Sequence, residues 1–113
     1  MKVLLDHCVP RPLRRHLPGH SVKTAYQMNW ALVKNGALIH AAEAEFDVMI
    51  SSDQSLRYQQ NLKKRRLALI ILPTNHLPTV LELAPKIRAA LDRIRPGDYL
   101  EIPNPRDPNH PSH

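Results

Sequence analysis

Two aspartates stand just after short apolar runs and are the residues best placed to do chemistry. Asp6 follows Val3-Leu4-Leu5, and Asp53 follows Val48-Met49-Ile50 with two serines between. Runs of this length and composition are typical of buried strands in a parallel sheet. Ligands of open α/β sheets bind in the crevice beyond the carboxyl ends of the strands. If the two strands are neighbours, the two carboxylates meet in that crevice.

A pair of carboxylates in such a crevice suits a hard cation. Mg²⁺ or Mn²⁺ prefers carboxylate and water ligands, and one or two carboxylates often suffice. Such an ion activates water for hydrolysis of a phosphodiester and stabilises the leaving oxygen. We therefore predict that Asp6 and Asp53 are catalytic residues and metal ligands. The polar residues that we predict to bind the substrate around them are His7, Ser52, Arg57, Gln60 and Asn61.

Some of these residues also have a structural interpretation. Asp53 can instead cap the helical segment that follows it. His7 and Cys8 beside Asp6 suggest zinc, but zinc sites usually need more Cys or His ligands at close spacing. We expect His7 to face the crevice as a hydrogen-bonding group and Cys8 to pack as a small apolar residue.

The elements that must position these residues alternate between strand and helix patterns. Helical patterns cover Arg11–Leu17, Asn35–Glu45, Asp53–Leu62 and Pro78–Ile94. Pro85 must kink or divide the last of them. The alternation implies parallel βαβ units with right-handed crossovers. The predicted strands are Lys2–Leu5, His20–Ala25, Phe46–Ile50, Leu67–Leu72 and Tyr99–Ile102.

Length, charge and cysteine content restrict the class of protein. The 113 residues suit one domain. A net charge of +6 favours an anionic partner, either nucleic acid or an acidic protein, although a solvated basic surface gives the same balance. The single cysteine excludes an intrachain disulfide, which fits a reducing compartment. We expect a cytoplasmic protein, because no apolar run approaches the roughly 20 residues of a membrane helix and the opening is too soon charged for a signal peptide.

Four segments, taken together in order and spacing, resemble the small PIN-like proteins. They are Lys2–Pro10, Phe46–Val48, Ser52–Leu56 and Gln59–Leu62. This family is a domain of unknown function related to the nuclease toxins of toxin–antitoxin modules. The resemblance covers residues 1–102, which we predict to be a PIN-like domain. Residues 103–113 contain four prolines and almost nothing apolar, and are predicted to be a disordered tail.

The resemblance implies a fold, an activity and partners. The implied fold is α/β, a three-layer α/β/α sandwich with a mainly parallel central sheet. The implied activity is that of a Mg²⁺-dependent ribonuclease with RNA as substrate, which suggests a toxin held by a small antitoxin protein. By position, Asp6 matches the first acidic residue of the family and Asp53 the later acidic residue at a strand end. We also expect that the chain can form a homodimer, and we expect no membrane partner.

The chain departs from the family pattern at two places. Many relatives have Glu-Asn where this chain has His7-Cys8, and acidic residues where it has Asn35-Gly36-Ala37. With two central carboxylates instead of three or four, we expect metal affinity to fall. Two functions therefore stay open. One is the metal-dependent ribonuclease, and the other is a catalytically impaired PIN-like module that binds nucleic acid or a partner protein.

Overall fold

A five-stranded sheet forms the centre of the protein. The structure is a computed structural model and describes residues 1–33, 35–58 and 65–104. The strands are β1 (Lys2–Leu5), β2 (Ser21–Thr24), β3 (Val48–Ser51), β4 (Ala68–Ile71) and β5 (Tyr99–Glu101). They lie in the order β2-β1-β3-β4-β5, and every pair of neighbours is parallel. The predicted α/β class is therefore confirmed, with strand ends shifted by two residues or fewer.

The three central strands are apolar because both of their faces are covered. Every residue of β3 and β4 is buried, as are three of the four residues of β1. Such strands are nearly continuous apolar runs in parallel sheets. The edge strands β2 and β5 keep exposed residues, among them Lys23 on β2. A charged residue on a short edge strand discourages pairing with another chain.

Helical segments connect the strands within the described part of the chain. The α-helices are α1 (Asn35–Glu43), α2 (Leu77–Glu82) and α3 (Ala84–Arg93), and two 3₁₀-helices cover Arg11–His16 and Gln54–Tyr58. Pro85 divides the last predicted helix, as expected, and lies in the first turn of α3. In that turn its missing N–H costs no hydrogen bond. The second piece begins at Ala84, one residue before the proline.

Two hydrophobic clusters lie on opposite faces of the sheet, because alternate strand residues point to opposite sides. The first cluster contains Val3 and Leu5 of β1, and the second contains Leu4. The first 3₁₀-helix, α2 and α3 pack into the first cluster, which includes Leu13, Val80, Ile87 and Leu91. Helix α1 and the second 3₁₀-helix pack into the second cluster, which includes Leu38, Ile39, Ala42 and Leu56.

The crossovers do not all have the same hand. The β1-to-β2 and β4-to-β5 connections pack into the same cluster, yet they run in opposite directions across the sheet. Parallel crossovers on one face that run in opposite directions have opposite hands. The expectation of right-handed crossovers throughout is therefore wrong for one of them. The first 3₁₀-helix is too short to cover this whole face, and α2 and α3 cover the apolar side chains that it leaves, such as Ile70.

The C-terminal residues were predicted to form a disordered tail. Most of the predicted disordered tail, residues 105–113, lies outside the described residues. Just before the tail, the Ile102 amide donates a 2.9 Å hydrogen bond to the Ile71 carbonyl, so the pairing with β4 extends one residue beyond β5. Among the described helices, none has both the length and the apolar character needed to cross a membrane.

Candidate functional site

The crevice between β1 and β3 is the place where the strand order reverses. From β1 the chain moves to β2 on one side, and it returns to build β3 on the other side. The connections that leave the carboxyl ends of β1 and β3 begin with the first and the second 3₁₀-helix, which pack on opposite faces of the sheet, so these two ends border an open crevice. Asp6 directly follows β1, and Asp53 lies two residues beyond β3. The condition on which a shared site depends, that the two strands are neighbours, is met.

Strand register brings Asp6 level with Ser51, the last residue of β3. Leu5 pairs with Ile50, and the Asp6 amide donates a 2.9 Å hydrogen bond to the Ile50 carbonyl. Residues that lie level in neighbouring strands point to the same face. The Ser51 hydroxyl therefore reaches Asp6 and donates to its Oδ2 at 2.7 Å. Both residues are buried, with Asp6 5% exposed and Ser51 fully buried.

The Asp6 carboxylate is surrounded by donors from its own loop and from β3. Oδ1 accepts the His7 amide at 2.7 Å and lies 2.9 Å from Nδ1 of the His7 ring. Oδ2 accepts the Ser51 hydroxyl and contacts the Cys8 thiol at 3.6 Å. A carboxylate offers about four acceptor positions. Protein groups therefore occupy about all of the acceptor capacity of Asp6.

Asp53 is linked to Asp6 through Ser51. The Asp53 amide donates to the Ser51 hydroxyl oxygen at 3.0 Å, so one side chain contacts both segments. Oδ1 of Asp53 accepts the amide and the hydroxyl of Ser55, at 2.9 and 2.6 Å. Asp53 therefore caps the second 3₁₀-helix, as its alternative interpretation predicted. Within the described part of the chain, its Oδ2 accepts no hydrogen bond.

Cys8 joins the polar cluster, although it also packs against the first hydrophobic cluster. Its sulfur accepts the Ser52 amide at 3.5 Å and lies 3.6 Å from the Ser51 hydroxyl. The expectation of purely apolar packing is thus incomplete. The tight turn after β1 folds the sulfur back over the end of β3, where Asp6 and Ser51 are the available partners.

The structure describes three of the five residues that were predicted to bind the substrate. His7 contacts Asp6 through its ring, and 36% of its side chain is exposed. Ser52 adjoins the cluster through its backbone, and no described group bonds its hydroxyl. Arg57 lies in the second 3₁₀-helix, and Gln60 and Asn61 lie outside the described residues.

The role of Ser51 as a link between the two aspartate segments was not predicted from the sequence, which suggested only that Ser51 or Ser52 could hold a metal-bound water or cap the helix. The signal that would have found it is its place in the register, one residue after the partner of Leu5. In the described ranges, no group of three or more Asp, Glu, His or Cys side chains is arranged to hold a metal ion. The central polar cluster is therefore a pair of aspartates joined by a serine.

Replacing Ser51 by alanine tests this link. We expect Ser51→Ala to lower the free energy of unfolding by about 2 kcal/mol, because it leaves the Asp53 amide and Oδ2 of Asp6 short of a partner. Ser52→Ala is the matched control and should change it by about 0.5 kcal/mol or less. Urea denaturation followed by the fluorescence of Trp30, which packs edge-to-face on Phe46, measures both. Equal losses in the two variants would contradict the role given to Ser51.

Comparisons with protein-family models, curated proteins and solved structures found no match to this chain.

Proposed function

We propose that the protein is a PIN-like, metal-dependent ribonuclease whose active site is the crevice between β1 and β3. The observation that carries the proposal is that the Ser51 hydroxyl binds both the Asp6 carboxylate and the Asp53 backbone amide at the point where the strand order reverses. Two carboxylates gathered there would hold a cation beside a phosphodiester. The basic net charge of the chain favours an anionic substrate.

The residues present fit a weakly bound, well-hydrated Mg²⁺ or Mn²⁺. Such ions often keep several waters and need only one or two carboxylates. Oδ2 of Asp53 accepts no hydrogen bond from any described group, so it is available as a direct ligand. Asp6 would have to release the Ser51 hydroxyl or the Cys8 thiol to bind the ion directly, and otherwise would bind its waters. The ion would activate water and stabilise the leaving oxygen.

The side chains of the crevice would do the remaining work. Asp6, held in one orientation by its donors, would supply negative charge at a fixed place. Ser51 would keep the Asp6 and Asp53 segments in register. His7, which is half-exposed beside Asp6, would donate a hydrogen bond to a phosphate oxygen. Asp53 would keep one oxygen on the helix cap and turn the other toward the ion.

Cleavage of an RNA panel in Mg²⁺ and in Mn²⁺ tests the proposal. Asp6→Asn and Asp53→Asn should each lower the rate about 100-fold, which is the usual scale for losing one electrostatic group of an active site. Asp47→Asn is the control. Asp47 lies at the amino end of β3, at the opposite end of the strand from Asp53, and accepts a hydrogen bond from the Lys2 amide. The proposal fails if the parent protein cleaves no RNA, or if the Asp6 and Asp53 variants cleave as well as the parent.

The finer description of fold and setting belongs to the same proposal. Hydrophobic clusters on both faces of the sheet support a three-layer α/β/α sandwich of the PIN-like kind. A toxin of this family would act on cytoplasmic RNA and be inhibited by a small antitoxin protein. Light scattering after size-exclusion chromatography tests the proposed homodimer, and a monomer at all concentrations would exclude it.

A second function is favoured by the crowding of Asp6. Its acceptor positions are already occupied by protein donors, as expected of a carboxylate that holds the fold together. A PIN-like module without catalysis would then bind nucleic acid or a partner protein. Binding of RNA that weakens steeply with salt, with no cleavage in either metal, would favour the nucleic-acid form of this module. Absence of binding at low salt would leave the protein partner.

A further inference from the structure

A groove beside the crevice combines exposed arginines with an exposed aromatic ring. It has a volume of about 430 Å³ and is bordered by Arg11, Arg14, Arg15, Thr24, Tyr26 and Gln27. We call it the Arg11–Tyr26 groove. None of the described residues that line it is acidic. The groove therefore offers positive charge and a flat apolar surface together.

Tyr26 is displayed by a loop with a fixed backbone. The ring belongs to a residue that is 56% exposed, although most large apolar side chains of this chain are buried. The loop is held by a reciprocal pair in which the Thr24 amide donates to Gln27 Oε1 at 2.9 Å and the Gln27 amide donates to Thr24 Oγ1 at 3.2 Å. Asn29, with a positive φ of 61°, turns the chain back. This order lowers the entropy lost when a ligand binds the ring.

Arg11 already lies against the tyrosine ring. Its guanidinium carbon is 5.6 Å from the centroid of Tyr26. Arg11 begins the first 3₁₀-helix, which is anchored by the fully buried Leu13. An exposed cation–π pair is worth only about 0.5–1 kcal/mol. The guanidinium and the ring thus offer a surface on which a ligand can stack. If the ligand disturbs their contact, the fold loses little stability.

The groove borders the proposed active site on its β2 side. The Ala25 amide, next to Tyr26, donates a 2.9 Å hydrogen bond to the Leu5 carbonyl, and Leu5 directly precedes Asp6. The loop from Asp6 leads through Pro10 into the helix that carries Arg11. A strand of nucleic acid that entered the crevice would therefore continue over this groove.

We propose that the Arg11–Tyr26 groove binds an unpaired nucleotide of a single-stranded nucleic acid, next to the nucleotide held in the crevice. Its base stacks on Tyr26 and Arg11, and its phosphates contact Arg14 and Arg15. This inference rests on the proposed nuclease function and makes it more specific, because a base within a duplex cannot stack on the ring. Stacking on an aromatic side chain accepts any base.

Binding measured without cleavage tests the inference. The probe is a short fluorescein-labelled single-stranded RNA, with DNA of the same sequence and the matching RNA duplex as further arms, all in EDTA. Tyr26→Ala should weaken single-strand binding about 5- to 150-fold, as expected for the loss of one stacked base. Tyr26→Phe keeps the ring and should bind like the parent. Duplex binding should not depend on Tyr26.

Salt dependence separates stacking from charge. Arg14→Gln should reduce the slope of log affinity against log salt by about 0.7, because one phosphate contact of a single strand is lost. Tyr26→Ala should leave that slope unchanged. Lys23→Gln removes the same charge from the exposed surface of β2, outside the groove, and is the control. The inference fails if Tyr26→Ala binds single strands as the parent does, or if Lys23→Gln changes the slope as much as Arg14→Gln.

The two proposals fail separately. If binding depends on Tyr26 but no RNA is cleaved in Mg²⁺ or Mn²⁺, the proposed binding of an unpaired nucleotide in the groove is supported and the proposed nuclease function is excluded. If cleavage depends on Asp6 and Asp53 but binding does not depend on Tyr26, the nuclease function is supported and the proposed role of the groove is excluded.

Discussion

The Asp6→Ala variant should unfold with a free energy about 3 kcal/mol lower than that of the parent protein. The substitution removes a 5%-exposed carboxylate whose oxygens receive the Ser51 hydroxyl and the His7 amide. Hydrogen bonds to a charged group contribute about 1.5–3 kcal/mol each, and their losses do not add in full. The buried Ser51 hydroxyl would also lose its acceptor. Urea denaturation monitored by Trp30 fluorescence measures the change.

Asp53→Ala is the matched comparison for this prediction. Asp53 is more exposed than Asp6, and its described role is to cap a short helix through Ser55. Losing such a cap costs about 1 kcal/mol. A gain in stability in Asp6→Ala would contradict the prediction. It would mean that burying the carboxylate costs more than its hydrogen bonds return, which is the behaviour of a group kept for binding rather than for folding.

The second large effect is expected at Gly97, in the turn between α3 and β5. Its φ is +82°, and a Cβ at this position would lie 2.7 Å from the carbonyl oxygen of Arg65. The left-handed conformation costs a residue with a side chain about 1–2 kcal/mol. The contact is with backbone, so relief requires movement of the chain that enters β4. We expect Gly97→Ala to lower the free energy of unfolding by about 3 kcal/mol, combining strain and clash.

Gly19 provides the control for this substitution. Its φ of +85° is nearly the same, but no atom lies within 4 Å of the position of an added Cβ. Gly19→Ala should therefore cost only the conformational part, about 1 kcal/mol. The difference between the two variants measures the clash alone. Similar losses in both, seen in thermal or urea denaturation, would show that the segment containing Arg65 moves aside easily.

The sheet was largely predictable from the sequence, and its crossovers were not. Short apolar runs such as Val48-Met49-Ile50 favour buried strands, because they are too short for a helix and a strand covered on both faces buries every residue of the run. The division of a helix at Pro85 also follows from local sterics. The hand of a crossover depends on which face a helix covers. The face that α2 and α3 cover depends on their packing against side chains of distant strands, such as Ile70. No local pattern in the sequence reveals that packing.

The candidate site was predictable in its location and less so in its contacts. The pattern of strands with trailing aspartates placed Asp6 and Asp53 after two strands that the structure shows to be neighbours. It did not reveal the bridging role of Ser51, because that depends on which residue of β3 lies level with Asp6. Both interpretations of Asp53 were available from the sequence. The contact of Oδ1 with Ser55 establishes the cap, while the other oxygen keeps the ligand hypothesis open to test.

The all-parallel pairing of the described strands also has a consequence for the order of folding. Asp6 and Ser51 are 45 residues apart in the sequence, and a parallel pair cannot be closed by a hairpin. While the chain is being synthesised, β1 and β2 can emerge long before the serine that binds Asp6. The carboxylate then stays hydrated until β3 closes this long loop, a step that is slow because its entropy cost precedes its contacts. The crevice is thus completed late, and a chain that stops before β3 would have the first aspartate but no site.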